Sequence, residues 1–454
     1  MRNIIVIGAG IGGLYAAASL AEHGYAITVV EARDRDELGY PWYDSVKPST
    51  FRDVGLDLPD DICIPKQVLN YYAPSGENKI KQPDRAEKSL DVHREKLVKF
   101  LLSRAEAYCT LRFGEQVRSL VIEEGAVKGV VTDRETMRAD LVIDSSGLFS
   151  PCRMATPDSF CLNDPLREND FIIAYREVYT RESCDKLPQP NVYLYPAGLM
   201  LAWSKSEPEQ GGMDVFLGSY HDITSEEKER ALAFLRAHSP CLGRTLLSGR
   251  KECVPLRYPL GVLAAAGYAV VGNAAFMTQP FCGSGIEVSL KAAKDLVSVI
   301  RKVGDAPFTA ENLWKYTVLF MRRFGAYYAA QYAFRQAVES LSPEDLDFIF
   351  ASGLFDKGVV AIATFDKKHI KNVDIRRFFY GFRATWNRKD IVTTVKFAFG
   401  CAIRAYLIAR SFPAKYDASK VTDWKSDYDK FMRSVSDEIR KVYIKAKSTE
   451  TRTI

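Results

Sequence analysis

The first thirty residues constrain this chain more than any other stretch. Ile4 to Ile7 form a short apolar run, followed by Gly8-Ala9-Gly10-Ile11-Gly12-Gly13, an amphipathic segment to His23, and a second apolar run from Ile27 to Val30 that ends in Glu31. Strand, glycine turn, helix, strand, acid is the order a dinucleotide-binding unit requires. Gly8 allows the tight turn, Gly10 and Gly12 keep the backbone open to a pyrophosphate, and Gly13 lets the helix lie close to the strand. The helix N-terminus then offers free N–H groups and a favourable dipole to the phosphates. Glu31 can accept from an adenosine ribose at roughly the expected 20-residue remove. Ala32 and Arg33, directly after it, join the candidate contacts.

Two later glycine turns narrow the reading. An apolar strand over Leu141–Ile143 ends at Asp144 and opens into a turn at Gly147. Residues 268–287 run from a strand through Gly272-Asn273-Ala274-Ala275, Pro280, Cys282 and Gly283-Ser284-Gly285-Ile286 into a helix. Three such turns in this order resemble the para-hydroxybenzoate hydroxylase-type FAD-dependent oxidoreductases. The GDAA-like turn, proline and GxGI segment resemble, more narrowly, the geranylgeranyl reductase family. The resemblance covers roughly residues 1–305. At position 273 the family has Asp and this chain has Asn, which keeps an acceptor and loses the charge.

The resemblance implies an α/β architecture: a Rossmann-like FAD-binding domain, an antiparallel β-sheet substrate domain and a helical C-terminal region. The expected division is residues 1–155 and 256–305 for FAD, 156–255 for substrate and 306–454 for the helices. Strands are expected at Phe171–Val178, Asn191–Tyr195, Leu199–Trp203 and Asp214–Tyr220, and a helix near Ser225–His238. Ser342-Pro343-Glu344-Asp345 reads as a capped helix start. Glu124-Gly125 between two apolar runs reads as a hairpin turn. The resemblance also gives Arg94, at the start of a helix, a contact to the FAD phosphate or ribityl chain. It gives Val117 a backbone contact to the adenine and places Asp144 and Gly147 of the second turn among the cofactor-binding residues.

The chemistry expected at the third turn follows from its glycines. Gly283 and Gly285 let the backbone approach a flat ring, and the helix from Ile286 directs its positive dipole end at that ring, favouring an anionic reduced flavin. The implied reaction is reduction of an apolar C=C by hydride from reduced FAD. An isolated alkene has no carbonyl to polarise, so the protein supplies orientation and a dry pocket. Trp42, Tyr43, Trp203 and Cys282 are the candidates for lining that pocket. Two alternatives stay open. One is a flavin monooxygenase acting on an aromatic substrate, although Ser146-Gly147 stands where those enzymes carry Asp-Gly. The other is a non-catalytic peripheral membrane protein that holds FAD. The WxWxIP run of the halogenase relatives is absent. The PxxYxWxFP-like segment of the reductases survives only as Pro196 and Trp203, and no Cys-Gly pair follows the first unit. No catalytic acid–base constellation stands out.

Composition bounds the remainder. The 454 residues allow two or three domains. Nine cysteines lie scattered with no CxxC pair, so no zinc or iron–sulfur site is implied, and an odd count without a framework suggests free thiols in a reducing compartment. The N-terminal segment is committed to the first fold unit and does not read as a signal peptide. Residues 361–454 hold 21 Lys+Arg against 10 Asp+Glu, an excess of +11. Such a segment can meet an anionic bilayer or an acidic electron donor such as ferredoxin. No nucleic-acid recognition motif accompanies it. No second nicotinamide fingerprint appears, so NAD(P)H and ferredoxin both remain possible donors. Ile391 to Arg410 is apolar apart from Lys396, Arg404 and Arg410, and reads either as a core helix or as one lying on lipid. No uninterrupted apolar run reaches the roughly 18 residues of a spanning helix. A cytoplasmic protein, with membrane association open, is expected.

Overall fold

The structure is a computed structural model that describes residues 1–66, 68–81, 89–184, 190–354 and 388–451. Its first sheet has six strands in the order Ala264–Ala265, Tyr268–Val270, Leu141–Asp144, Asn3–Ile7, Ala26–Val30, Thr110–Arg112. All neighbours are parallel except the first pair. Ile4 stands between Leu141 and Ile27, and Ile4, Ile5 and Val6 are wholly buried. Their unbroken apolar run is what a parallel strand covered on both faces requires. Helix α1 (Ile11–Ala21) is buried along almost its whole length, and its small residues Gly12, Gly13, Ala16, Ala17 and Ala18 let neighbours close around it. Helix α2 (Ser49–Val54) ends on left-handed Gly55, and Tyr15 of α1 donates to its last carbonyl at 2.7 Å. Helix α3 (Arg94–Glu106) starts on a His93 cap, and α4 (Pro151–Met154) on a Ser150 cap.

The hairpin Val117–Glu123/Ala126–Thr132 forms as the sequence predicts. Glu124 and Gly125 both have positive φ, as a two-residue hairpin turn demands.

The second sheet has seven strands, ordered Leu242–Pro255, Phe171–Arg181, Gly212–Ser219, Leu201–Glu207, Asn191–Leu194, Asn70–Tyr72, Lys79–Lys81. The four expected strands are present with shifted ends, and α5 (Ser225–His238) starts on a Thr224/Glu227 capping box. Three strands were not expected. Leu242–Pro255 is a sheet edge whose alternation is hidden by exposed Arg and Lys. Asn70–Tyr72 and Lys79–Lys81 are three residues each, and the first joins parallel to Asn191–Leu194. Within residues 1–155, the strands of 70–81 thus pair in this second sheet. A small sheet of Tyr43–Val46, Leu90–His93 and Cys63–Pro65 makes the passage between the two.

The all-thiol expectation is also corrected. Cys184 and Cys241 form a disulfide across 57 residues, with Cα atoms 5.7 Å apart. The pairing brings together the ends of strands that meet in the sheet, which no local spacing encodes.

The described C-terminal residues are helical. Helix α6 (Ile286–Val303) returns to the first domain beside α1. Helix α7 (Ala310–Phe320) runs through a π turn into α8 (Ala326–Ser340), followed by α9 (Pro343–Ser352), α10 (Lys389–Arg410) and α11 (Ala418–Thr451). The Ser342 cap accepts from Asp345 N–H at 3.2 Å. Helix α10 packs on α8 and α11, burying Thr394, Ala398, Cys401, Ala405 and Ala409, seats Ile391 in a cluster with Leu346 and Ile349 of α9 and Tyr443 of α11, and turns Lys396, Arg404 and Arg410 outward. The core reading thus holds for one face. Among the described residues, α10 is also the single helix long and apolar enough to cross a membrane. Arg257 and Asp164, both almost fully buried and 2.6 Å apart, tie α11 to the domain junction through Arg433, which reaches Asp164 at 2.8 Å.

Candidate functional site

The three glycine turns converge on one cavity of ≈1070 Å³. Gly8 has φ +87°, and a Cβ there would sit 2.7 Å from the Ser145 carbonyl oxygen, so glycine is obligatory at the crossing of the first and second turns. Gly13 faces the same residue: a Cβ would lie 2.7 Å from Ser145 Cβ and 2.8 Å from Gly8 O. Gly13 therefore serves close packing beneath the cavity and does not line it, whereas Gly8, Gly10 and Gly12 do. Gly10 caps α1 with no side chain, and of the first N–H groups of the helix Gly13 N–H donates to Ser145 Oγ of the second turn at 3.2 Å.

Glu31 is buried at the cavity wall. One carboxylate oxygen accepts from Ala9 N–H at 2.7 Å; the other accepts from Arg33 N–H at 3.1 Å and Arg33 Nε at 3.0 Å. Its acid thus holds the first turn in shape while its remaining lone pairs, with Ala32 and Arg33, border the cavity. Arg94 borders it from the start of α3. Its guanidinium lies 4.6 Å from the Tyr40 ring centroid and 3.3 Å from Asp44, and its buried Nε has no partner.

The second turn lines the cavity with Ser145, Ser146, Gly147, Leu148 and Phe149. Asp144 does not reach it. Its fully buried carboxylate accepts from Ser146 N–H, Ser146 Oγ, Ser150 Oγ and Tyr268 Oη, at 2.9, 2.6, 2.5 and 2.5 Å. Asp144 is a pin that shapes the turn. Burial, then the adjacent Asp144 charge, pushes the Tyr268 phenol well above its ordinary value. Val117 is buried at the base of its hairpin and is not among the cavity-lining residues.

In the third turn Gly272 and Gly283 have φ +70°, and Asn273 Oδ1 accepts from Thr278 Oγ1 at 3.1 Å. Asn273 at this site is therefore partly spent on its own loop. Gly283, Ser284, Gly285 and Ile286 line the cavity, and a Cβ on Gly285 would sit 3.3 Å from Thr278 Oγ1. Helix α6 starts at Gly285 with no side-chain cap, so a second helix N-terminus faces the cavity uncapped. Cys282 Sγ points to Gln279 Oε1 at 2.8 Å.

Trp42, Tyr43, Trp203 and Cys282 all line the cavity. What holds the aromatic residues there could not be read from the sequence. Arg176, buried in the strand Phe171–Arg181, donates to Asp214 at 3.0 and 2.7 Å, to Asp44 at 2.6 Å and to the Tyr43 carbonyl at 2.5 Å. The same guanidinium lies 5.0 Å from the Trp42 ring and 5.7 Å from Trp203. Lys205 Nζ donates to the Tyr43 carbonyl at 3.1 Å. Burial would raise the Asp44 carboxyl; the Arg176 and Arg94 guanidiniums outweigh it and hold the group below the usual carboxylate value. Trp203 stacks on Phe216 at 3.9 Å. The one available sequence signal was a cation inside an apolar strand, Ile-Ile-Ala-Tyr-Arg-Glu-Val.

The same cavity is lined by an apolar set, here termed its apolar arm: Met200, Leu201, Phe216, Leu256, Phe281, Phe324, Tyr328, Val338 and Phe350. Arg335 and Glu339 line the cavity too; they pair at 2.6 Å, Arg335 donates to the Leu256 carbonyl at 2.7 Å, and Tyr220 is bonded to both side chains.

The residues present suit a long dinucleotide. Two uncapped helix N-termini, glycines where a Cβ would clash, an acid and two arginines surround one elongated space. Residues 6–59 match the NAD(P)-binding Rossmann-like domain family. Over 373 residues the chain is 24% identical to a digeranylgeranylglycerophospholipid reductase of Sulfolobus acidocaldarius, covering 76% of this chain and 79% of that protein. It is 25% identical over 331 residues to a kynurenine 3-monooxygenase of Salinispora arenicola, covering 63% and 69%. The crystal structure of a geranylgeranyl bacteriochlorophyll reductase-like protein of Thermoplasma acidophilum superposes with a TM-score of 0.69 at 19% identity, covering 87% of this chain and 99% of that one. The chain shares the fold of the geranylgeranyl reductase-like protein, a Rossmann-like domain with a second sheet and a helical C-terminal region, and resembles the digeranylgeranylglycerophospholipid reductases in sequence.

Proposed function

We propose that this chain reduces isolated C=C bonds of an apolar isoprenoid or lipid-like substrate. One observation carries the reading: the cavity lined by the three glycine turns is lined as well by a large set of apolar side chains, the apolar arm. Gly8, Gly10 and Gly12, Glu31 and Arg33, Arg94, and Gly283 to Ile286 would hold FAD. Bound there, FAD supplies the hydride.

The chain's residues supply the rest. The stack of Trp203 on Phe216 presents a flat wall that orients a flexible chain, and Trp42 is clamped beside it by Arg176. Leu201, Phe281, Phe324 and Tyr328 exclude water along the arm, and Val338 and Phe350 extend it. Orientation in a dry space is the catalysis an unpolarised alkene can receive. The basic excess in residues 361–454 supports an acidic electron carrier, such as ferredoxin, as donor, and an anionic lipid surface as the place of work.

The test is anaerobic reduction of the FAD-loaded protein followed by mass spectrometry of added prenyl lipids. A gain of two daltons per bond supports the proposal. Rapid NAD(P)H oxidation with O₂ uptake and a hydroxylated product would favour the monooxygenase reading that the kynurenine 3-monooxygenase relative keeps open.

A further inference from the structure

We infer that the outward face of α10 is a docking surface for an anionic phospholipid bilayer, through which the apolar arm is supplied. The inference rests on the lipid-substrate reading above and adds where that lipid is met.

Helix α10 is two-faced. Its small residues pack inward, while Phe397, Ile403 and Leu407 are 36%, 59% and 60% exposed, and Ile444 on adjacent α11 is 56% exposed. Four of the ten exposed large apolar side chains among the described residues thus fall on this one helix pair. Such clustering marks an interaction site rather than the usual scatter. The cations lie with them: Lys396, Arg404 and Arg410 are exposed on α10, and Arg440, Lys441 and Lys445 on α11. Among the described residues, the outward positions of α10 hold no carboxylate; Asp437 and half-buried Glu438 on α11 are the nearest acids in that helix pair's sequence. Apolar side chains interleaved with Lys and Arg suit a negatively charged interface, where the rings and branched chains enter the acyl boundary and the cations meet phosphates. A spanning orientation would require α10 to abandon α8 and α11, on which Ala398, Cys401, Ala405 and Ala409 close.

This face also connects to the site. Phe281, on the third turn and in the cavity wall, is 6.0 Å from Phe334 of α8, and Phe334 is 5.8 Å from Phe399 of α10. Two ring contacts therefore lead from the cavity to the helix that carries the exposed face. A second pair, Tyr327 and Tyr406 at 5.2 Å, joins the same two helices. An apolar chain leaving the bilayer beside α10 would meet aromatic side chains continuously up to the arm.

The test uses the full-length, FAD-loaded protein in flotation with phosphatidylcholine vesicles containing roughly a third phosphatidylglycerol, and with pure phosphatidylcholine vesicles. The unaltered protein is expected to float with the anionic vesicles at low salt and less with the neutral ones. The F397S/I403S/L407S variant, altered only at outward positions, is expected to lose about tenfold or more in vesicle affinity while keeping its flavin absorbance. The K396E/R410E variant should lose the preference for anionic lipid. Failure of the unaltered protein to float, or equal flotation of the triple variant, overturns the inference, as would a dimer in solution that the triple variant dissolves. Turnover of a short prenyl alcohol without vesicles, compared across the same proteins, tests the C=C reading separately: its absence sinks that reading, and flotation still decides the docking face.

Discussion

The Arg176 guanidinium reaches Asp44 across 2.6 Å, and that one contact joins the middle of the substrate sheet to the segment that follows the first dinucleotide-binding unit. Arg176 is also bidentate to Asp214, which is itself buried. Replacing Arg176 with Met would leave two carboxylates facing each other with their principal counter-charge gone. Removing one partner of a buried ion pair typically costs about 3–5 kcal/mol. R176M should therefore lower the urea midpoint by that equivalent and release Trp42 from its clamp. D44N should cost less, because Arg176 keeps Asp214 and the Tyr43 carbonyl. The two urea curves check this, and equal loss in both variants would contradict the assignment.

Gly13 and Gly24 separate packing from backbone strain. A Cβ at Gly13 would overlap Ser145 and Gly8, whereas Gly24, at φ +84°, has nothing within 4 Å of that position. G24A should cost about 1 kcal/mol from the left-handed backbone and leave the yellow chromophore in place. G13A must push α1 away from the second turn, at about 1–3 kcal/mol for overpacking, and distort the phosphate cradle. Flavin retained after gel filtration distinguishes them: G13A is expected to emerge depleted and G24A loaded.

Much of this was legible because glycine turns are local. The first unit, the Glu124-Gly125 hairpin and the Ser342 cap are each fixed by a few adjacent residues, and the structure reproduces them. Asp144 shows what is not local: its carboxylate is held by Tyr268, 124 residues away, and by Ser150. The Arg176–Asp44–Asp214 cluster was invisible because its members come from segments that only the tertiary fold brings together. The edge strand Leu242–Pro255 escaped because a solvent-facing edge does not need apolar alternation.

The Cys184–Cys241 bridge predicts a reducing-agent dependence. It closes a loop of 57 residues, and closing loops of that size contributes typically about 2–4 kcal/mol. Thermal unfolding with and without dithiothreitol should show the loss, and C184S should be insensitive to the reagent. Cys241 lies in the small apolar core beneath α5 with Leu235 and Leu242. Unfolding monitored in the substrate sheet should move more than the flavin signal does.

Acid stability should trace to Asp164. Burial would raise its carboxyl, but Arg257, Lys425 and Arg433 hold it at about 2. Its folded value therefore lies below the ordinary carboxylate value near ~3.9. The sign follows: the contribution to stability is complete above the unfolded value and is lost as pH falls through the folded one. A depression of roughly two units corresponds to about 2–3 kcal/mol of pH-dependent stability. At neutral pH, D164N should be less stable by about 3–5 kcal/mol, since Arg257 is left buried with only Asp170 as its counter-charge. Melting temperatures across pH 7 to 2 provide the check. The gap between the native chain and D164N should stay constant down to about pH 4 and narrow below it. A gap that narrowed between pH 7 and 5 instead would mean that Asp164 is not the group whose charge locks α11 onto the domain junction.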